Sequence, residues 1–145
     1  MIRTLAALVL LAAPASAETV TKPSPVSVPE TVERLVAAVE GAGATVVAQV
    51  PHSDAAASVE MDLPAAVLVI FGSPQVGTPV MQQDLRAGLT LPLRVLVHDD
   101  GQGGTALTYH TAETLFAGMD VDPSSEAAQR IDGALGNLTD AAVAD

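Results

Sequence analysis

The chain has 145 residues, 17 of them acidic and 6 basic, a formal net charge of -11, one Tyr, two Phe and no Trp. Length predicts a single domain, and so acidic a chain, without a basic stripe interleaved with aromatics, repels phosphate backbones and anionic lipid, which excludes nucleic acid as a partner. With no Cys at all, thiolate nucleophiles, disulfides, iron–sulfur ligation and thiolate zinc sites drop out together.

Met1–Ala17 reads as a secretory signal: Arg3 is the charged start, Leu5–Ala13 the apolar run, and Ala15-Ser16-Ala17 an A-x-A cleavage site. The apolar run is well short of the roughly 20 residues that span a bilayer. The expectation is an exported, periplasmic or secreted protein that starts at Glu18 and has no membrane attachment after cleavage. Residues 18–26, with Pro23 and Pro25, suit an extended arm or an edge strand. The rest, 27–145, is expected to form the single domain.

Ser27-Val28-Pro29-Glu30 has the form of a capping box, and Val28, Val32, Leu35, Val36 and Val39 then share a helical face until Gly41 and Gly43. Ala44–Val50 reads as a strand ended by Pro51-His52, after which Ser53 is positioned to cap a short helix from Asp54 to about Met61. Ala65–Phe71 is seven consecutive apolar residues bounded by Gly72-Ser73-Pro74, the pattern of a buried central strand. Thr78-Pro79 predicts an N-cap followed by Pro at the first helical position, opening a helix to about Arg86. Leu91–His98 and Thr105–His110 flank a Gly-rich loop and form a β-hairpin. Thr111–Ala117 is a short helix, and Asp122-Pro123 opens a last one with Ala128, Ile131, Leu135, Leu138 and Ala142 on one face. The class is α+β: a four- to five-stranded, mainly antiparallel or mixed sheet with helices mostly on one face.

The set His52, Val67-Leu68-Val69-Ile70-Phe71-Gly72-Ser73-Pro74, Gly77-Thr78 and Leu91-Pro92-Leu93-Arg94-Val95-Leu96-Val97 resembles domain of unknown function 302, a bacterial and archaeal family. The resemblance implies a compact fold of the TATA-box-binding-protein-like class and a homodimeric tendency. It implies no reaction. Ser73 stands where that family usually has Asn, and Tyr109-His110-Thr111-Ala112 replaces a Tyr-Asn-x-Pro-like segment.

Gly72 to Gly77 followed by Thr78 echoes a phosphate loop, but the Lys is missing and Pro74 removes a backbone donor. A milder reading puts a small anionic ligand at a helix N-terminus near Thr78, with Val80 and Met81 N–H groups as donors and Arg94 or Arg86 supplying charge. Three His residues invite a metal. His98 and His110 lie at opposite ends of the hairpin, however, roughly 17 Å apart along the strands, and His52 with Asp54 offers two ligands only. Asp120-x-Asp122-x-Ser124 begins like a calcium loop, yet Ser125 replaces the Gly and Ile131 falls where the bidentate Glu belongs. No metal or other cofactor is therefore expected. No G-x-S-x-G elbow or paired catalytic carboxylates are evident, and His52 is the one candidate general base. The leading expectation is a small-ligand-binding or sensory module without catalytic activity. Its expected binding residues are His52, Gly72, Ser73, Gly77, Thr78 and Arg94. A periplasmic hydrolase or isomerase using His52, and a structural or interaction protein, are the alternatives.

Overall fold

The computed structural model describes residues 18–145, so the leader expected at Met1–Ala17 lies outside the described residues. The elements are β1 (Thr19–Ser24), α1 (Val28–Gly41), β2 (Thr45–Pro51), α2 (His52–Ala57), β3 (Ala66–Gly72), α3 (Pro74–Met81), a 3-10 helix (Leu85–Leu89), β4 (Leu93–Asp99), β5 (Thr105–His110), α4 (Ala112–Leu115) and α5 (Glu126–Val143). The strands form one sheet in the order β1-β5-β4-β3-β2, and every neighbouring pair is antiparallel. The expected α+β class is the observed one, with the sheet wholly antiparallel.

Helices cover one face of the sheet. Leu93, Val95 and Val97 on β4 are buried, while Arg94 between them is exposed and Leu96 and His98 are half-buried. Leu35 and Val39 of α1 and Ile131 and Leu135 of α5 close over that face. Each such buried aliphatic side chain contributes about 1.5–3 kcal/mol. The apolar run of β3 follows the same rule: Val69 and Phe71 are buried, whereas Leu68 and Ile70 on the opposite face are only half-buried. The strand expected at the centre of the sheet is second from its edge, and β4 is central. The physical reason is that an antiparallel sheet needs a cover on one face only, so an unbroken apolar run does not imply burial on both.

The helix boundaries differ from expectation wherever Pro sets them. Pro51 already holds the entry conformation, so α2 begins at His52 and Ser53 lies inside it, with no side-chain cap bond. Likewise Ser73 is extended and Pro74 takes the first helical turn, so α3 starts four residues before Thr78 and carries Pro79 in its interior. It ends at Met81, and the stretch to Arg86 is interrupted before the 3-10 helix, whose cap is Asp84. The last helix starts at Glu126, capped by Ser125, because the Asp122 carboxylate is used in a turn, accepting from the Ser124 N–H and hydroxyl. In α1 the Ser27 hydroxyl accepts from the Glu30 N–H, but Glu30 reaches Arg34 at 2.9 Å and does not return to Ser27. Val36 is half-buried, and Thr31 fills the remaining place in the stripe, donating to the Ser27 carbonyl at 2.9 Å and meeting the Ser24 hydroxyl at 2.7 Å.

Residues 19–24, read as an arm or an edge strand, pair with β5 as the outermost strand. Lys22 fastens this strand to α5. Its side chain is 20% exposed, and Nζ donates to the Gly136 carbonyl (3.1 Å), the Thr139 hydroxyl (2.8 Å) and Asp140 Oδ1 (2.6 Å). Lys22→Met keeps the apolar stem and removes all three bonds. Urea unfolding is expected to show a loss of about 2 kcal/mol, and a midpoint equal to that of the parent would refute the role.

Candidate functional site

At one end of the sheet β3 runs out at Gly72, Ser73 stays extended, and the chain turns into α3. A Cβ on Gly72 would sit 3.3 Å from Pro92 Cβ, and one on Gly77 would sit 3.5 Å from Leu91 Cδ1. The two glycines thus let the Leu91–Leu93 segment and α3 come close without filling the space between them. What remains is a cleft of about 450 Å³. Thr45 and Val47 of β2 form one side, Gly72–Pro74 the floor of the turn, Gly77, Thr78 and Met81 of α3 another side, and Leu91–Leu93 the last. No charged side chain lines it. The hydroxyls of Thr45, Ser73 and Thr78 make no internal hydrogen bond among the described residues, so they are available to a bound molecule.

The 3-10 helix that follows α3 steadies this wall. Ala87 is buried, and Gly88 lies close against the Met81 side chain. Asp84 holds the segment in place: its carboxylate accepts from the Arg86 N–H and guanidinium and, at 2.9 Å, from the Asp120 N–H. The hydrogen-bonded Arg86 guanidinium, with these backbone donors, keeps the Asp84 carboxyl far below the usual carboxylate range. Gln83 ties the same turn to the segment before α5, accepting from the Asp122 N–H and donating to Ser125. Leu85 and Leu89, each 78% exposed, project from the 3-10 helix into solvent.

Four of the six expected binding residues, Gly72, Ser73, Gly77 and Thr78, come together in the cleft. Thr78 does so from within α3, so the helix N-terminus imagined there is at Pro74, and the Val80 and Met81 N–H groups are not its free donors. His52 is elsewhere. Pro51 pairs with Val67 while Thr45 pairs with Gly72, so His52 is at the far end of β2, about 20 Å away along the strand. It is exposed and has no hydrogen-bond partner among the described residues. Arg86 is occupied by Asp84. Arg94 does not line the cleft, but pairs with Ile70 on the face that Gly72 also shares.

His98 and His110 point to the uncovered face. In the neutral ring His98 donates Nδ1–H to the Asp99 carbonyl (2.7 Å), and Nε2 accepts from Thr108, which meets Thr21 at 3.0 Å. His110 meets Thr19 at 3.1 Å. His98 is opposite Ala106, four residues before His110 on β5, about 13 Å along the strand. That is too far for one ion to bridge. Val47, Leu91, Pro92 and the Met81 side chain have no sequence signal as lining residues; the cleft exists because separate segments meet.

The family model described as Domain of unknown function DUF302 matches residues 20–141. The chain belongs to the DUF302 family. The crystal structure of an uncharacterized conserved DUF302 protein from Bacillus stearothermophilus superposes with a TM-score of 0.77 at 24% identity, covering 86% of this chain and 97% of that one, which shows the shared fold. This DUF302 chain is also 38% identical over 102 residues to "Fluoride-specific ion channel FluC 1" of Brucella suis and, equally, to the protein of that name in Brucella abortus. The match takes in 70% of this chain but spans only 40% and 38% of the two relatives' lengths.

The bonds that depress the Asp84 carboxyl stabilise the fold above pH ~4, its unfolded value, and that contribution fades as pH falls toward the much lower folded value. Asp84→Asn is therefore expected to melt below the parent at pH 7, with the gap closing as the medium is acidified below pH ~4. An unchanged gap across that range would count against it. Gly77→Ala places a methyl at ordinary contact distance in a helix interior, so a stability gain of up to about 1 kcal/mol is expected by chemical denaturation.

Proposed function

We propose that this DUF302 domain is a binding module, and that its ligand is a small, mainly apolar molecule held in the cleft between β2, α3 and Leu91–Leu93. The single observation that carries this reading is the cleft itself: apolar walls around a space that two glycines leave unfilled, with three hydroxyls that have no partner among the described residues. Ligand pockets have this composition, a hydrophobic lining with a few polar groups that fix orientation, and its volume falls within their range. Catalysis by His52 has less support, since no carboxylate or hydroxyl among the described residues orients that ring and the cleft is at the other end of the strand. Export by the Met1–Ala17 leader belongs to the same proposal, and protein recovered from the producing cell would then begin at Glu18.

A second reading draws on the fluoride channel relatives. Because the described residues are 18–145, at most 17 of the 102 matched residues lie outside them and most lie in the α+β domain, none of whose described helices is long and apolar enough to cross a membrane. In such channels the matching portion would serve as an appended ligand-responsive domain, and the present chain would carry the same module.

The neutral fluorescent probe N-phenylnaphthylamine tests the cleft. Emission is expected to rise on adding the parent protein and to lose most of that rise with Gly77→Leu, whose side chain extends toward Leu91. Thermal denaturation of the variant confirms that it is folded. No enhancement with the parent, or an equal one with folded Gly77→Leu, would remove the cleft as the site.

A further inference from the structure

We propose that Arg94 gives this cleft its selectivity, so that the preferred ligand is an amphiphile with one negative charge, an apolar alkyl or aryl body ending in a single carboxylate or equivalent anion. The inference rests on the cleft's being a ligand site. Phe71 pairs with Leu93 and Ile70 with Arg94, so on the face away from the helices Gly72 and Ile70 of β3 run beside Pro92 and Arg94. Arg94 is two residues along from Pro92, about 7 Å from the cleft wall, within reach of an Arg side chain. Its guanidinium turns toward that wall, donating from Nη2 to the Leu89 carbonyl at 3.2 Å.

Among the described residues Lys22, Arg34, Arg86 and Arg130 are ion-paired with Asp140, Glu30, Asp84 and Glu126. Arg94 alone among the described Lys and Arg side chains has no carboxylate partner. In a chain of net charge -11 a cation left unpaired at the rim of an uncharged cleft is the complement of one anionic group. One guanidinium offers several N–H donors in a planar fork, and only one is used here. The acidic surface and the apolar interior both disfavour a second negative charge.

Titration calorimetry with octanoate, octanol and octanedioate at pH 7 and low salt tests the assignment. The parent is expected to bind octanoate about tenfold tighter than octanol, the scale of one charge-assisted hydrogen bond at a partly solvated site, and octanedioate more weakly than octanoate. In Arg94→Gln the octanoate-to-octanol ratio falls to about one, Arg94→Lys restores part of it, and raising the salt shrinks it in the parent. Equal affinity of the parent for octanoate and octanol, or a preference that survives in Arg94→Gln, overturns the role of Arg94 and leaves the cleft standing. Absence of binding by all three probes overturns both.

Discussion

The helices bury one face of the antiparallel sheet, and that asymmetry decides where everything else can be. On β4 the buried Leu93, Val95 and Val97 alternate with Arg94, Leu96 and His98, so a period of two sends core and chemistry to opposite sides. α1 and α5 close over the first set with Leu35, Val39, Ile131 and Leu135. The second set is left to polar rows: His98, Thr108 and Thr21 across three strands, and His110 with Thr19. Arg94, on that face, has no carboxylate partner among the described residues and donates only to the Leu89 carbonyl.

The cleft arises where this regularity ends. β3 stops at Gly72, where a Cβ would press on Pro92, and α3 starts at once from Pro74. A larger residue at Gly72 would push the Leu91–Leu93 segment outward; one at Gly77 would grow into the space. The wall beyond is held by backbone N–H groups on the Asp84 carboxylate and by Ala87 in the core. The result is an apolar space lined by the hydroxyl-bearing Thr45, Ser73 and Thr78, with Arg94 two residues along the strand from Pro92.

Most of the architecture was legible from punctuation and period. Ser27, Gly41 and Gly43 bracket α1, the Gly-rich run after Asp100 closes the β4–β5 hairpin, and Ala128, Ile131, Leu135, Leu138 and Ala142 are the buried stripe of α5. Misreadings fell where two local signals competed. Thr78-Pro79 has the chemistry of a helix start, but Pro74 has it too and comes first, so the later signal is absorbed into the helix. Ser53 lost in the same way to Pro51. For the site, the glycines and hydroxyls from Gly72 to Thr78 were visible because a strand-to-helix turn is a local event.

The order and kind of most elements and the family follow from the sequence by itself, because capping, glycine placement and hydrophobic period act over a few residues. Only the tertiary structure decided that β3 is beside the edge of the sheet, that Val47, Met81 and Leu91 share a cleft with Ser73 and Thr78, and that His52 is remote from it. Those facts depend on strand order and register, which bring together residues more than twenty positions apart, and no local preference encodes which ends of which strands will meet.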